Sequence, residues 1–132
     1  MEKYMTLNTE RMPEPIGEYS NGLVIPIGMK ELILLTGQVA TDVNGNVVHK
    51  DDVTAQTEYI FENIQLLLEQ AGAGIENIVK VVIYLTDMDD FEKVSPIRNK
   101  YLKCCRPIST MVEINRTAVD GCKVEIVVTA IK

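Results

Sequence analysis

Three cysteines and one histidine are the side chains of this sequence best suited to metal or redox chemistry, and their spacing argues against both. Cys104 and Cys105 are neighbours, where a mutual bridge would be strained, and Cys122 makes the set odd. With no C-x-x-C spacing, the three read as free thiols of a reducing compartment. His49 stands beside a turn, at no ligand-type spacing from any cysteine, so no metal is expected. The sequon-like Asn115-Arg116-Thr117 reads as chance, because the start, Met1-Glu2-Lys3-Tyr4-Met5, lacks the apolar core of a signal peptide. The acidic run Asp87 to Asp90 is most simply a helix N-terminus favoured by the helix dipole.

The remaining chemistry depends on the elements that would carry it. The 132 residues fit a single domain, 1–132, with an irregular lead-in over 1–14 marked by Pro13. At 46% hydrophobic and 24% charged the chain is too apolar to be disordered. A net charge of −6 argues against nucleic acid or an anionic membrane as the main partner. No apolar run approaches the ~20 residues that span a bilayer, so no membrane is expected and the location is read as cytoplasmic.

From Tyr19 to Gly37 the pattern is strand-like, with apolar runs Leu23-Val24-Ile25 and Leu32 to Thr36 and a turn supplied by Pro26 and Gly28. Asn44-Gly45 suits a tight connection. Val53, Ile60, Ile64, Leu67, Leu68 and Ala71 then recur at three- and four-residue steps, predicting a long helix capped by Asp51 or Asp52 and ended by Gly72. Ile78 to Thr86 reads as a strand. A second helix is predicted from Asp89 or Asp90 to Leu102, interrupted at Pro96, where Ser95-Pro96 would restart it. Two strands follow, Ser109 to Ile114 and Lys123 to Ile131, joined by a turn at Asp120-Gly121. The order is β-β-α-β-α-β-β, an α+β fold.

Two helices can cover only one face of such a sheet, and strands with one wet face should alternate apolar and polar. These do not: Leu32 to Leu35, Val81 to Leu85 and Ile126 to Val128 are apolar on both parities. At ~25 cal/mol per Å2, exposing several Val and Leu side chains would cost several kcal/mol. In so short a chain the natural cover is another copy of itself.

Six segments fall in a familiar order: Ile16 to Ser20, Thr36-Gly37-Gln38, Glu62 through Ala73, Tyr84 to Phe91, Pro107 to Thr110, and Val124-Glu125-Ile126. Together they resemble the RidA/YjgF family of reactive-intermediate (enamine/imine) deaminases, over about Pro15 to Ile131. The resemblance implies a chorismate-mutase-like fold and a homotrimer, with sheets forming a central barrel, helices outside and clefts between subunits. It implies hydrolysis of 2-aminoacrylate and related enamines or imines to 2-keto acids and ammonia, without a cofactor. Carried over residue by residue, the water-positioning glutamate falls on Glu125, the cleft glycine on Gly37 and the early tyrosine on Tyr19.

The family's Pro-Ala-Arg-Ser/Thr, whose arginine clamps the substrate carboxylate, reads Pro107-Ile108-Ser109-Thr110 here. A neutral hydroxyl offers ~0.5–1.5 kcal/mol net, a bond to a charged partner ~1.5–3, and arginine can make two. Binding of small 2-imino acids should therefore weaken. Alternation sends Ser109 and Met111 to one face, which the resemblance makes the cleft face. Ser95 replaces a common asparagine, and the loop at Lys103-Cys104-Cys105 looks shortened. Arg106 is a candidate replacement cation, as is Arg116 from a neighbouring subunit. Three functions stand side by side: a deaminase of altered activity, a non-catalytic keto-acid or metabolite sensor, and, weakest, an endoribonuclease or translation inhibitor.

Overall fold

The computed structural model describes residues 4–132; Met1-Glu2-Lys3, the start of the expected lead-in, lies outside the described residues. Six strands and two long helices follow in the order β1 (Met5–Thr6), β2 (Gly22–Ile27), β3 (Lys30–Leu35), α1 (Val53–Gln70), β4 (Ile78–Leu85), α2 (Phe91–Leu102), β5 (Ile108–Glu113) and β6 (Val124–Ile131). One sheet holds them in the order β1-β2-β3-β6-β4-β5, with β4 and β5 parallel and the other pairs antiparallel. The expected order of elements is present, with β1 added from within the lead-in. Two residues are too few to leave a period in the sequence.

Two local readings are corrected. Pro26 is not in the turn but inside β2, opposite Glu31. The turn is Gly28-Met29, with Gly28 at φ +59°. Ile27 and Lys30 close it, so alternation aims the Pro26 nitrogen away from β3, and β1 pairs only as far as Val24, leaving no ladder bond to lose. Secondly, α2 runs through Pro96 without a break. Proline there removes only the bond to the Glu92 carbonyl, which lies on an exposed stretch that water can reach, while buried Val94 and Ile97 hold the helix to the core on either side. Ser95 is therefore a helix-interior residue and no cap. The Asn44-Gly45 connection is tight, as expected: Gly45 takes φ +81°, its amide donates to the Asp42 carbonyl at 3.0 Å, the Asp42 amide donates to the Asn46 carbonyl at 2.8 Å, and the Asp42 carboxylate accepts from the amides of Asn44 and Asn46.

Helix α1 begins and ends where the sequence places it. The Asp52 carboxylate accepts from the Ala55 amide at 3.0 Å, and Gly72 takes φ +73° just past the end. Its apolar stripe, Ile60, Phe61, Ile64, Leu67 and Leu68, is fully buried against one parity of the sheet: Ile33, Val81, Ile83, Val124, Ile126 and Val128. The other parity carries Leu23, Ile25, Leu32, Leu34, Val82, Tyr84, Val112 and Val127, all half-buried or exposed. Both faces are apolar, and the two helices cover one.

Two polar ties fix the ends of this frame. Gln56, fully buried, donates to the carbonyls of His49 (3.1 Å) and Gly121 (2.9 Å) and accepts from the Lys123 amide (2.8 Å), locking α1 to the start of β6. Those carbonyls keep other partners, but the Lys123 amide does not. Gln56→Leu should therefore cost about 2–3 kcal/mol, read by thermal or denaturant unfolding. A loss under ~0.5 kcal/mol would show the tie to be dispensable. Between the helices, Glu58 accepts from Lys100 (2.5 Å) and Tyr101 (2.9 Å), and Tyr101 stacks on Phe61 with ring centroids 4.8 Å apart. The Lys100 bond holds the Glu58 carboxyl below its usual range, while burial and then the Glu58 bond push Tyr101 up to about 12. These contacts set the position of α2.

Candidate functional site

The sequence-derived candidates separate into two groups. Glu125 lies on β6 opposite Tyr84 of β4, on the face the helices leave open. Its carboxylate rests against the backbone of Gly37, the second residue after β3, where the chain re-pairs with β6 through Gln38 and Ile126. A β-carbon built on Gly37 would come within 2.9 Å of the Glu125 carboxyl carbon, so a side chain there would make this carboxylate shift from its place. Glu125 is half-buried and, among the described residues, makes no ion pair or hydrogen bond through its side chain. Burial raises its pKa above the ordinary carboxylate value of 4.5. A carboxylate so placed can hold a water and exchange protons with it.

Gly37 and Tyr19 line one cavity of about 200 Å3 together with Ile16, Asn21 and Asn63. Tyr19 is 50% exposed, and its hydroxyl accepts from the Ile16 amide at 3.4 Å.

The second group gathers at the edge strand β5. Ser109, Arg106, Pro107, Arg98, Asn99 and Lys103 line a cleft of about 650 Å3 between β5 and the end of α2. Ser95 joins through Arg98, a residue the sequence reading did not single out. One terminal nitrogen of Arg98 donates to Ser95 Oγ at 3.2 Å and the other to Ser109 Oγ at 3.4 Å. The Arg98 Nε donates to Asn99 at 3.1 Å. Because α2 is continuous, Ser95 and Arg98 stand three residues apart on one face. That spacing was visible in the sequence, but the expected role of Ser95 as a backbone cap gave its hydroxyl a different partner. Arg106 reaches the same cleft from a left-handed backbone, φ +47°, uncommon for a side-chain-bearing residue.

Met111 shares the Ser109 parity but packs half-buried against the core, paired with Ile83, and does not line the cleft. Arg116 lines a different cavity, beside Thr86 and Asp120. Cys104, Cys105 and Cys122 are free thiols. Burial and the neighbouring Cys104 push Cys105 up to about 11, which leaves it a poor nucleophile at neutral pH. Among the described residues, no three His, Cys, Asp or Glu side chains gather as metal ligands, and no helix is long and apolar enough to cross a membrane.

The two groups cannot meet within one chain. Register places Ser109 beside Val81 and Val128 on the helix-covered parity, whereas Glu125 lies beside Tyr84 and Val112 on the open one. The rows differ by three residues, about 10 Å along the strands, with two strand spacings of ~4.8 Å between them. A site that uses both must draw them from two copies.

Comparison with known proteins agrees with this architecture. The family profile described as Endoribonuclease L-PSP matches residues 9–132. A RutC family protein of Pyrococcus abyssi is 37% identical over 112 residues, 85% of each chain. The Rid-family protein YyfA of Yersinia pestis superposes with a TM-score of 0.83 at 29% identity, covering 96% of this chain and 98% of that one. RidA of an Antarctic Psychrobacter superposes with a TM-score of 0.80 at 27% identity, covering 96% and 98%.

Proposed function

This chain belongs to the RidA/YjgF family, the family described as Endoribonuclease L-PSP, and from that premise we propose that it hydrolyses small enamines and imines to carbonyl compounds and ammonia. The observation that carries the reading is Glu125: a half-buried carboxylate with raised proton affinity, without a cationic partner among the described residues, and set against a glycine that makes space for it. An enamine first tautomerises to its imine. Water, held by Glu125, adds its oxygen to the carbon of the protonated imine as the carboxylate takes one of its protons, giving a neutral carbinolamine. The carbinolamine nitrogen takes that proton back, and the C–N bond breaks to release ammonia while the hydroxyl proton passes to Glu125, and from it to solvent, as the carbonyl forms. No oxidant or cofactor enters the balance.

The open sheet face supports a closed assembly of copies, and the opposite placement of Ser109 and Glu125 supports a site at its seams. A homotrimer with three such seams is the form proposed. The test is release of ammonia and 2-oxo acid when the purified protein meets freshly generated imino acids of varied side chain. Rates no better than buffer across that panel would remove the reading. The non-catalytic sensor would then be left, recognised by a keto acid that raises the melting temperature without turnover. The family description favours one further comparison, cleavage of single-stranded RNA by the same preparation. The net charge of −6 speaks against it.

A further inference from the structure

We infer that Arg98, held by Ser95 and Ser109, supplies the cation that binds the carboxylate of an anionic substrate, in the cleft between α2 and β5. The inference rests on the reading of the site as an imine hydrolase only for the identity of that substrate; the anion site stands on its own geometry.

The cleft is the reverse of the molecule's overall charge. In a chain with 19 acidic and 13 basic side chains, the cleft lining contains Arg98, Lys103 and Arg106 and no carboxylate. Among the described residues none of these three cations has an acidic partner within 4.0 Å. By contrast, Lys100, on the same helix, is neutralised by Glu58. Three unpaired cations held near one another repel, and an anion between them relieves that repulsion.

Arg98 differs from the other two in being fixed. Half-buried, it spends one donor on each serine and one on Asn99, and these oxygens set the plane of its guanidinium. An arginine has five N–H donors, so two remain for a ligand. A planar, pre-oriented fork loses little freedom on binding a carboxylate. Ser109 then has a definite job. It stands where the family resemblance places an arginine, and its hydroxyl positions the guanidinium that α2 delivers to the same spot. Arg98 is a binding residue, and Ser95 and Ser109 are positioning residues.

The experiment uses pyruvate as the charged probe and pyruvamide as its uncharged counterpart, titrated calorimetrically into the full-length protein, alongside imine hydrolysis. Wild type should bind pyruvate at least tenfold more tightly than pyruvamide. Arg98→Met should lose at least tenfold in pyruvate affinity and leave pyruvamide unchanged. Ser95→Ala should lose a few fold. The double variant Arg98→Met/Ser109→Arg, which puts a cation back on β5, should recover pyruvate binding, a rescue that a merely structural arginine would not give. Undiminished pyruvate binding by Arg98→Met overturns the inference, as does equal affinity of wild type for acid and amide. Loss of binding in Arg106→Met but not in Arg98→Met also overturns it. Should Arg98→Met lose pyruvate binding while no protein hydrolyses imines, the anion site stands and the hydrolase reading falls. If wild type and Arg98→Met hydrolyse imino acids equally, the hydrolase stands and this inference falls.

Discussion

Glu125→Gln is expected to reduce kcat/KM for imine hydrolysis at least ~1000-fold while raising the melting temperature at pH 7. The amide keeps the shape and loses the basic oxygen, so water beside it can neither give up a proton nor return one to the leaving nitrogen. General acid–base catalysis contributes about 100- to 10,000-fold, and here one group serves both steps. The stability change runs the other way. Burial raises the Glu125 pKa above the ordinary 4.5, so the folded protein holds this proton more tightly than the unfolded chain does. Stability from this group is therefore full below the ordinary value, falls as pH rises through the window up to the raised value, and is flat above it. Glutamine has no charge to bury, so the variant should be more stable than wild type at pH 7 and no more stable at pH 4, as scanning fluorimetry at both values would show. The acid limb of kcat/KM in wild type should likewise lie above 4.5, since the ionised form is the active one. Full activity in Glu125→Gln would remove Glu125 from the reaction. An identical stability difference at both pH values would contradict its burial as the cause of the shift.

Why some of this architecture was legible follows from what one-dimensional spacing encodes. The three- and four-residue steps from Val53 to Ala71, with Asp52 before and Gly72 after, encode a helix because each signal is local. The doubled apolar parity of β4 and β6 encodes a sheet needing cover on both sides. It cannot encode which parity the chain's own helices take. That is why Ser109 and Glu125, each a reasonable candidate, gave no sign that they point in opposite directions. Strand order decides this: β6 enters between β3 and β4, a fact of tertiary pairing. Arg98 was lost for a different reason. Proline's local penalty outweighed, in the sequence reading, the tertiary hold of Val94 and Ile97 on the core, so Ser95 read as a backbone cap and not as a side-chain partner for Arg98. Its reach to Ser109 spans 11 residues and depends on the docking of α2, which Glu58, Lys100 and Tyr101 fix from the other side.

Val127→Lys should convert the protein from a closed assembly to single chains. Val127 lies on β6, inside the sheet, on the open parity beside Val82 and one row from Glu125. If the chain were solitary, a lysine here would extend along neighbouring apolar surface with its ammonium in water, at a cost of ~0.5 kcal/mol or less. If copies close over this face, every seam gains a buried ammonium without a partner, which costs several kcal/mol per ion. In a trimer that penalty is paid three times, more than a standard interface can absorb. Light scattering should give three times the 14.8 kDa chain mass for wild type and one for the variant, with far-ultraviolet circular dichroism unchanged. Imine hydrolysis should vanish together with the assembly, because the anion cleft beside Ser109 and the carboxylate of Glu125 would no longer be brought together. A variant that remains assembled, or a wild type already at 14.8 kDa, would leave the apolar face unexplained and would separate the two halves of the proposed site for good.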